Sequence, residues 1–247
     1  MTHTARAMLD AMEHLPLVAF DDLGVRSLVV VAPHPDDESL GCGGLIATAR
    51  AHGVPVEIII VSDGTGSHPN SRAYPPARLK ALREDEARAA AAELGVEAGA
   101  VHFLGLPDRF VPSEGPDAAS AVAVIADILR AAAADLVTIT WQHDPHCDHQ
   151  ASFRLTRAAC RTAPGARLLC YPVWGATLPP DQLLEGALPC GVRLDVRDHL
   201  AQKARAVAAH RSQILPLIAD DPEGFTLSPD DLARFARPFE IYLETEA

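Results

Sequence analysis

The stretch PHPDDE, residues 33–38, places His34, Asp36, Asp37 and Glu38 directly after the apolar run SLVVVA. Imidazole nitrogen and carboxylate oxygen are ligands for zinc and similar divalent ions, and a carboxylate can also accept a proton. His34 and Asp37 stand three residues apart on a tight turn, so both can converge on one ion while Asp36 points elsewhere. A hydrolytic zinc site keeps three protein ligands and leaves a position for water. PHPDDE thus supplies two ligands and one base, and a third ligand has to come from another part of the chain.

A second stretch, WQHDPHCDH at 141–149, holds His143, His146 and His149 with Asp144 and Asp148, again after a buried apolar run. A structural zinc site would close its shell, typically with cysteines, and none of Cys42, Cys147, Cys160, Cys170 and Cys190 has the spacing for that. Gly41, Gly43 and Gly44 follow the acids as G-x-G-G, which departs from the G-x-G-x-x-G of a dinucleotide loop, and three acids precede them. These glycines are expected to let a following helix leave close to the sheet. Neither G-x-S-x-G nor G-x-x-x-x-G-K-[ST] occurs. A nucleotide-binding regulator would need phosphate affinity at a strongly anionic turn.

The elements that position these residues are legible as alternation. Runs at 27–32, 56–62, 100–105, 135–141 and 167–174 are apolar and rich in β-branched residues, as in strands buried on both faces. Helical spacing fills 44–53, 76–96, 117–134 and 148–163. The pattern predicts an α/β fold, a Rossmann-like three-layer sandwich with a mostly parallel sheet covered by helices on both faces. Such sheets bind ligands outside the carboxyl ends of their strands, and polar stretches follow four of these strands: PHPDDE, SDGTG, LGLPDR and the His/Asp cluster. The tail predicts a strand GVRLDV, a helix over 197–213, a helix SPDDLARFA capped by Ser228, and a last strand FEIYLE.

The chain of 247 residues is 48% hydrophobic and 22% charged, an ordinary globular composition. One domain over 1–247 is expected, with a core at about 27–214 and a C-terminal extension at about 215–247. A net charge of −12 argues against nucleic acid and anionic membranes as partners. Five scattered cysteines without a CxxC pair suggest reduced thiols. The N-terminal residues lack a signal-peptide pattern, and no apolar run approaches the ~18 residues of a membrane span. A soluble, cytoplasmic protein is expected, and the sequence leaves a homo-oligomer open.

PHPDDE with the downstream HxDH (His146, Cys147, Asp148, His149) resembles the LmbE-like or PIG-L-type zinc-dependent N-deacetylases. The S-D-G after the second strand, R-x-x-E-A (Arg83, Glu86, Ala87), F-L-G-L-P-D at 103–108 and H-R-S-Q at 210–213 extend the resemblance over about 27–214. It implies zinc held by His34, Asp37 and His149, with Fe²⁺ an acceptable substitute. It further implies Asp36 as the base, and His146 as a group that stabilises the oxyanion or protonates the leaving amine. Asp148 would orient His146. The substrate implied is an N-acetyl amino sugar of the N-acetylglucosamine type. An amidase acting on a thiol conjugate or another small metabolite is the alternative, and a module that binds metal or sugar without catalysis is a third reading. Asp36 and His146 speak against the third, since neither is needed merely to hold zinc.

For the remaining residues two readings stand side by side. Arg83 reaches the substrate's polar groups or lies on a solvated helix face. Asp108 pairs with sugar hydroxyls or caps a helix. Asp63 supports the metal turn or only its own turn. His210 and Gln213 are expected at the rim of the site, and His68 and Tyr74 in a segment that covers it. Trp174 is a platform for a sugar ring or a packed core residue. Cys147 stands where the family often has proline and is read as packing, with competition for zinc as the minor reading. A tyrosine found ahead of HxDH in some members is missing, Asp144 and Pro145 occupying that stretch.

Overall fold

A computed structural model describes residues 1–163 and 165–245. The strands are β1 Thr2–Thr4, β2 Leu17–Val18, β3 Leu28–Ala32, β4 Val56–Ser62, β5 Val101–Leu106, β6 Leu136–Thr140, β7 Arg167–Tyr171, β8 Leu183–Glu185, β9 Gly191–Asp195 and β10 Phe239–Glu244. The helices are α1 Ala5–Glu13, α2 Phe20–Leu23, α3 Asp37–Ala51, α4 Pro76–Glu93, α5 Gly115–Ala131, α6 Cys147–Thr162, α7 Leu200–Ala209, α8 Arg211–Ile214 and α9 Pro229–Phe235. The predicted α/β sandwich is what forms. Eight strands make the main sheet in the order β2-β9-β10-β7-β6-β3-β4-β5, and β1 pairs with β8 apart from it.

The β7-β6-β3-β4-β5 block is parallel. Along β3, Val29 and Val31 pack into the core that α1, α5 and α6 cover, while Leu28, Val30 and Ala32 face the core of α3, α4 and α7. Burial on both faces is why these strands read as unbroken apolar runs. The chain leaves β3 toward β4 and β5, then returns to place β6 on the opposite side of β3. The carboxyl ends of β3 and β6 therefore flank the point where the strand order reverses, and a crevice opens there.

Two expectations about helices change. The helix expected at 44–53 begins at Asp37, because Asp37 and Glu38 fill its first turn and suit the positive end of a helix dipole. Gly41, Gly43 and Gly44 consequently lie inside α3, where they allow close contact rather than departure. A Cβ on Gly41 would lie 2.2 Å from the ring of the fully buried Tyr171, and one on Gly44 2.6 Å from Val196. The helix expected over 197–213 is split at His210, whose ψ of 59° interrupts α7 before α8. The Ser228 cap forms as expected, its Oγ accepting from Asp231 N at 3.1 Å.

Beyond residue 214, strand β10 enters the main sheet. Strand β10 runs antiparallel between β9 and β7. Its Glu240 accepts from the Gly44 and Leu45 amides of α3 at 2.7 and 2.8 Å and pairs with the buried Lys203 at 2.7 Å. The chain's last strand therefore clamps the helix that begins at Asp37. A methyl group at Gly41 has to displace Tyr171, whose hydroxyl donates to Val31 O. Gly41→Ala is expected to cost about 1–3 kcal/mol of stability, read as a lower urea midpoint at an unchanged slope; an unchanged midpoint would contradict this packing.

Candidate metal centre and catalytic cavity

The turn after β3 is closed by backbone bonds from Asp36 N and Asp37 N to His34 O, and Asp37 Oδ2 accepts from His34 N at 2.9 Å. Across the switch point, the segment after β6 enters α6 with His146 as N-cap; its Nδ1 accepts from Asp148 N at 3.2 Å. These two turns bring three acceptor atoms face to face. His34 Nδ1 and Asp37 Oδ2 are 3.3 Å apart, His34 Nδ1 and His149 Nε2 3.2 Å, and His149 Nε2 and Asp37 Oδ2 3.2 Å. Ligand atoms on one tetrahedral zinc, each about 2.0–2.1 Å from it, lie about 3.3 Å from one another. The triangle fits such an ion, and its two nitrogens and one oxygen are a suitable donor set.

The triangle's charge state agrees with that fit. Burial opposes protonation of His149, but Asp37 and Asp144 outweigh it and raise the imidazole to about 9. Burial likewise opposes protonation of His34, and Asp108, Asp148 and Asp37 reverse this and raise it well above its ordinary value. Asp37 shows the counterpart: His149 and His34 overcome its burial and hold it below the usual carboxylate range. The site favours a positive charge among these atoms, which protons supply in the absence of a metal.

Each of the two imidazole ligands has a carboxylate behind it. His149 Nδ1 lies 3.1 Å from Asp144 Oδ1, and Asp144 Oδ2 accepts from the Val173 and Trp174 amides at 3.1 and 2.7 Å. Asp144 is fully buried; it stands in the loop before α6, five residues ahead of a candidate ligand, and the sequence alone assigns it no role. His34 Nε2 contacts Asp148 Oδ2 at 3.1 Å and Asp108 Oδ1 at 3.3 Å. This corrects the orientation expected of Asp148: its carboxylate engages His34, and only its backbone amide fixes His146. The reason is local, since the Arg109 and Val111 amides also draw that carboxylate, at 2.6 and 3.1 Å, toward the β5 loop. Asp108, expected at sugar hydroxyls or as a cap, spends its other oxygen on Gly66 N at 2.8 Å.

His146 stands edge-on to His34 with ring centroids 4.6 Å apart. Burial, then the neighbouring His34 and His149, lower it to about 4, so it stays a neutral imidazole. With Nδ1 accepting from a backbone amide, its proton resides on Nε2. Burial raises Asp36 above its ordinary value, more than the adjacent Arg83 lowers it, and Asp37 adds to the rise. Asp36 is therefore a better proton acceptor than a solvated carboxylate.

Arg83 does not lie on a solvated helix face; it stands in the cavity wall. It is buried, donating from Nη2 to Asp36 Oδ2 at 3.1 Å and to Pro35 O at 3.0 Å, and from Nη1 to Gly64 O at 2.9 Å. Gly64, at φ +67°, leaves the guanidinium its room, since a Cβ there would lie 2.9 Å from Nη1. Glu86 holds the H-R-S-Q segment, accepting from Ser212 N at 2.8 Å and Ser212 Oγ at 2.6 Å. His210 Nε2 lies 3.0 Å from Glu38 Oε1, and Glu38 Oε2 accepts from Asp36 N at 3.0 Å. His210 is thus a buried clasp behind the PHPDDE turn rather than a rim residue. Gln213 lines the cavity, and its buried Oε1 has no partner among the described residues.

The cavity over the triangle measures about 340 Å³, with His34, Asp36, Asp37 and His146 in its walls. Trp174 also lines it, half-buried and packed edge-on to Phe225 and Phe235. The loop carrying His68 and Tyr74 is bound to the segment around Asp220: Ser71 Oγ donates to Asp220 Oδ1, Asn70 N to Asp221 Oδ2, and Phe225 N to Ser67 O. Asp63 supports its own turn and Asp108, accepting from Thr65 N and Asp108 N. Cys147 is exposed, with Sγ 3.6 Å from Arg109 O. All five cysteines are free.

A family model described as GlcNAc-PI de-N-acetylase, PIG-L, matches residues 29–160, from β3 through the His/Asp cluster. The chain belongs to the PIG-L family. The 1D-myo-inositol 2-acetamido-2-deoxy-alpha-D-glucopyranoside deacetylase of Nocardia farcinica (strain IFM 10152) is 28% identical, over 87% of this chain and 89% of that protein. The probable N-acetyl-alpha-D-glucosaminyl L-malate deacetylase 2 of Bacillus subtilis (strain 168) is 29% identical, over 75% of this chain and 82% of that protein. Among solved structures, the N,N'-diacetylchitobiose deacetylase of Pyrococcus horikoshii has the same fold, with a TM-score of 0.64 at 22% identity, covering 96% of this chain and 89% of that one. No helix among the described residues is long and apolar enough to cross a membrane.

Two outcomes follow from the buried carboxylates. Asp144→Asn should weaken zinc binding about 10- to 100-fold in competition with a chelator; unchanged affinity would remove Asp144 from the support of His149. Because a metal must displace protons from His34 and His149, affinity should rise with pH up to about 9, with protons released on binding. A pH-independent affinity would contradict the protonated triangle.

Proposed function

We propose that this protein is a zinc-dependent N-deacetylase that hydrolyses the acetamide of an N-acetylglucosamine-type derivative. The carrying observation is the triangle of His34 Nδ1, Asp37 Oδ2 and His149 Nε2, opening on a cavity whose wall also holds a carboxylate of raised basicity, Asp36. The relatives' names supply the substrate class: deacetylases of N-acetylglucosaminyl compounds. We read residues 1–247 as one domain carrying one site, supported by the entry of both β2 and β10 into the same sheet. The five free cysteines support a reducing compartment, the cytoplasm.

His34, Asp37 and His149 would hold a divalent ion, which when bound would lower the pKa of a water molecule and polarise the amide carbonyl. Asp36 takes the proton of the attacking water as the new C–O bond forms. Arg83 holds Asp36 Oδ2, fixing the carboxylate without neutralising it. The neutral His146 donates from Nε2 to the oxyanion of the tetrahedral intermediate, a donor aimed where charge develops. Asp36 then returns its proton to the amine nitrogen as the C–N bond breaks, giving acetate and a free amino sugar. The unpartnered Oε1 of Gln213 is a ready acceptor for a sugar hydroxyl.

Asp36→Ala should keep its zinc and lose roughly 10²- to 10⁴-fold in kcat; loss of the metal instead would make Asp36 a ligand rather than a base. The activity itself is tested by acetate release from a panel of N-acetylglucosamine derivatives, on metal-stripped and zinc-reloaded protein. Release that depends on zinc supports the reading, and no release from any member of the panel contradicts it.

A further inference from the structure

Among the described residues, two arginines stand in the cavity wall, and the guanidinium of Arg109 is the one not engaged. Arg83, the other, is buried and fixed by Asp36, Pro35 and Gly64. The Arg109 guanidinium has no hydrogen-bond, ion-pair or ring partner among the described residues. The carboxylates of the cavity do not compete for it. Asp36 binds Arg83, Asp37 faces His34 and His149, and Asp108 is held by Gly66 N and His34.

Its backbone is held in place, and its stem passes close to Gly66. The Arg109 amide donates to Asp148 Oδ2, the same oxygen that contacts His34 Nε2. The backbone of Arg109 is therefore tied to a residue that supports a candidate metal ligand. At φ +66° Arg109 sits in the left-handed region, where glycine is the cheap choice and a side chain is uncommon. The stem lies against Gly66, where a Cβ would fall 3.1 Å from Arg109 Cγ. Arg109 is an exposed residue of the cavity wall, its backbone held in an uncommon conformation and its planar donor fork unengaged.

We infer that Arg109 is a specificity-determining residue that binds an anionic oxygen group, carboxylate or phosphate, on the aglycone of the amino-sugar substrate. A guanidinium matches either group with two parallel N–H donors. The chemical class assigned is thus an acidic conjugate of the amino sugar rather than a neutral one. The inference rests on the deacetylase reading for the sugar half of the substrate; the anion subsite itself stands on the geometry of Arg109.

The test uses three N-acetylglucosaminides with a common linker ending in a carboxylate, a phosphate or a neutral amide of similar size. Zinc-loaded wild-type and Arg109→Met proteins are compared by kcat/KM, and by calorimetric Kd in an Asp36→Ala background where turnover is suppressed. An anionic glycoside should be preferred over the neutral one by about 10- to 100-fold, through KM rather than kcat. Arg109→Met should bring that ratio close to one, with Arg109→Lys, which keeps a point charge without the fork, in between. The better of the two anionic arms identifies the group. Equal use of all three glycosides by the wild type, or a preference that survives in Arg109→Met, overturns the proposal. If none of the three releases acetate, the deacetylase reading fails, and the calorimetric ratio still decides the anion subsite. A melting transition like that of the wild type confirms that each variant is folded.

Discussion

Three lone-pair atoms held 3.2 to 3.3 Å apart in a buried site repel one another unless a positive charge lies among them. His34, Asp37 and His149 are held in that arrangement, and much of the surrounding structure makes it sustainable. Asp144, Asp148 and Asp108 sit behind the two imidazoles, fix their ring orientations and add negative charge that draws a cation inward. Backbone amides from three other loops then satisfy these carboxylates, so the site is anchored in the sheet rather than in any single loop. A lone His–Asp contact on one turn would have no such requirement.

The fold provides this at one place. Only where the strand order reverses, between β3 and β6, do two loops leave adjacent parallel strands in opposite directions and open a crevice between them. The PHPDDE turn comes from one strand and the His/Asp cluster from the other. Behind them, α3 is pressed close to the sheet through Gly41 and Gly44 and gripped by Glu240 of the last strand. The helix that carries Asp37 in its first turn is thus fixed along its length. The C-terminal half contributes a further brace, since His210 and Ser212 reach Glu38 and Glu86 and hold the base-bearing turn and the Arg83 helix together.

Much of this was written in local sequence. Apolar runs separated by helical stretches indicated the parallel sheet, because strands buried on both faces need apolar side chains at every position. His34 and Asp37 were legible as convergent because a tight turn fixes their relation over three residues. The pairing of carboxylates with histidines was not legible. Asp148 lies two residues from His146 in sequence yet engages His34, a choice made by the Arg109 and Val111 amides that a third strand brings in. For Arg83 the charged stretch LREDEARAA leaves a solvated helix face and a reach toward the substrate side by side; its burial comes from the packing of α4 against the PHPDDE turn. Strand β10 was readable as a strand, but its place between β9 and β7 depends on long-range pairing that no local pattern encodes.

The most direct measurement of the metal centre is anomalous diffraction at the zinc absorption edge, on crystals of protein loaded with one equivalent of zinc. A single peak bonded to His34 Nδ1, Asp37 Oδ2 and His149 Nε2, at about 2.0–2.2 Å from each, is the result expected from the triangle. A peak at His146, Cys147 and Asp148 instead, or zinc bound by only one of the three atoms, would contradict it.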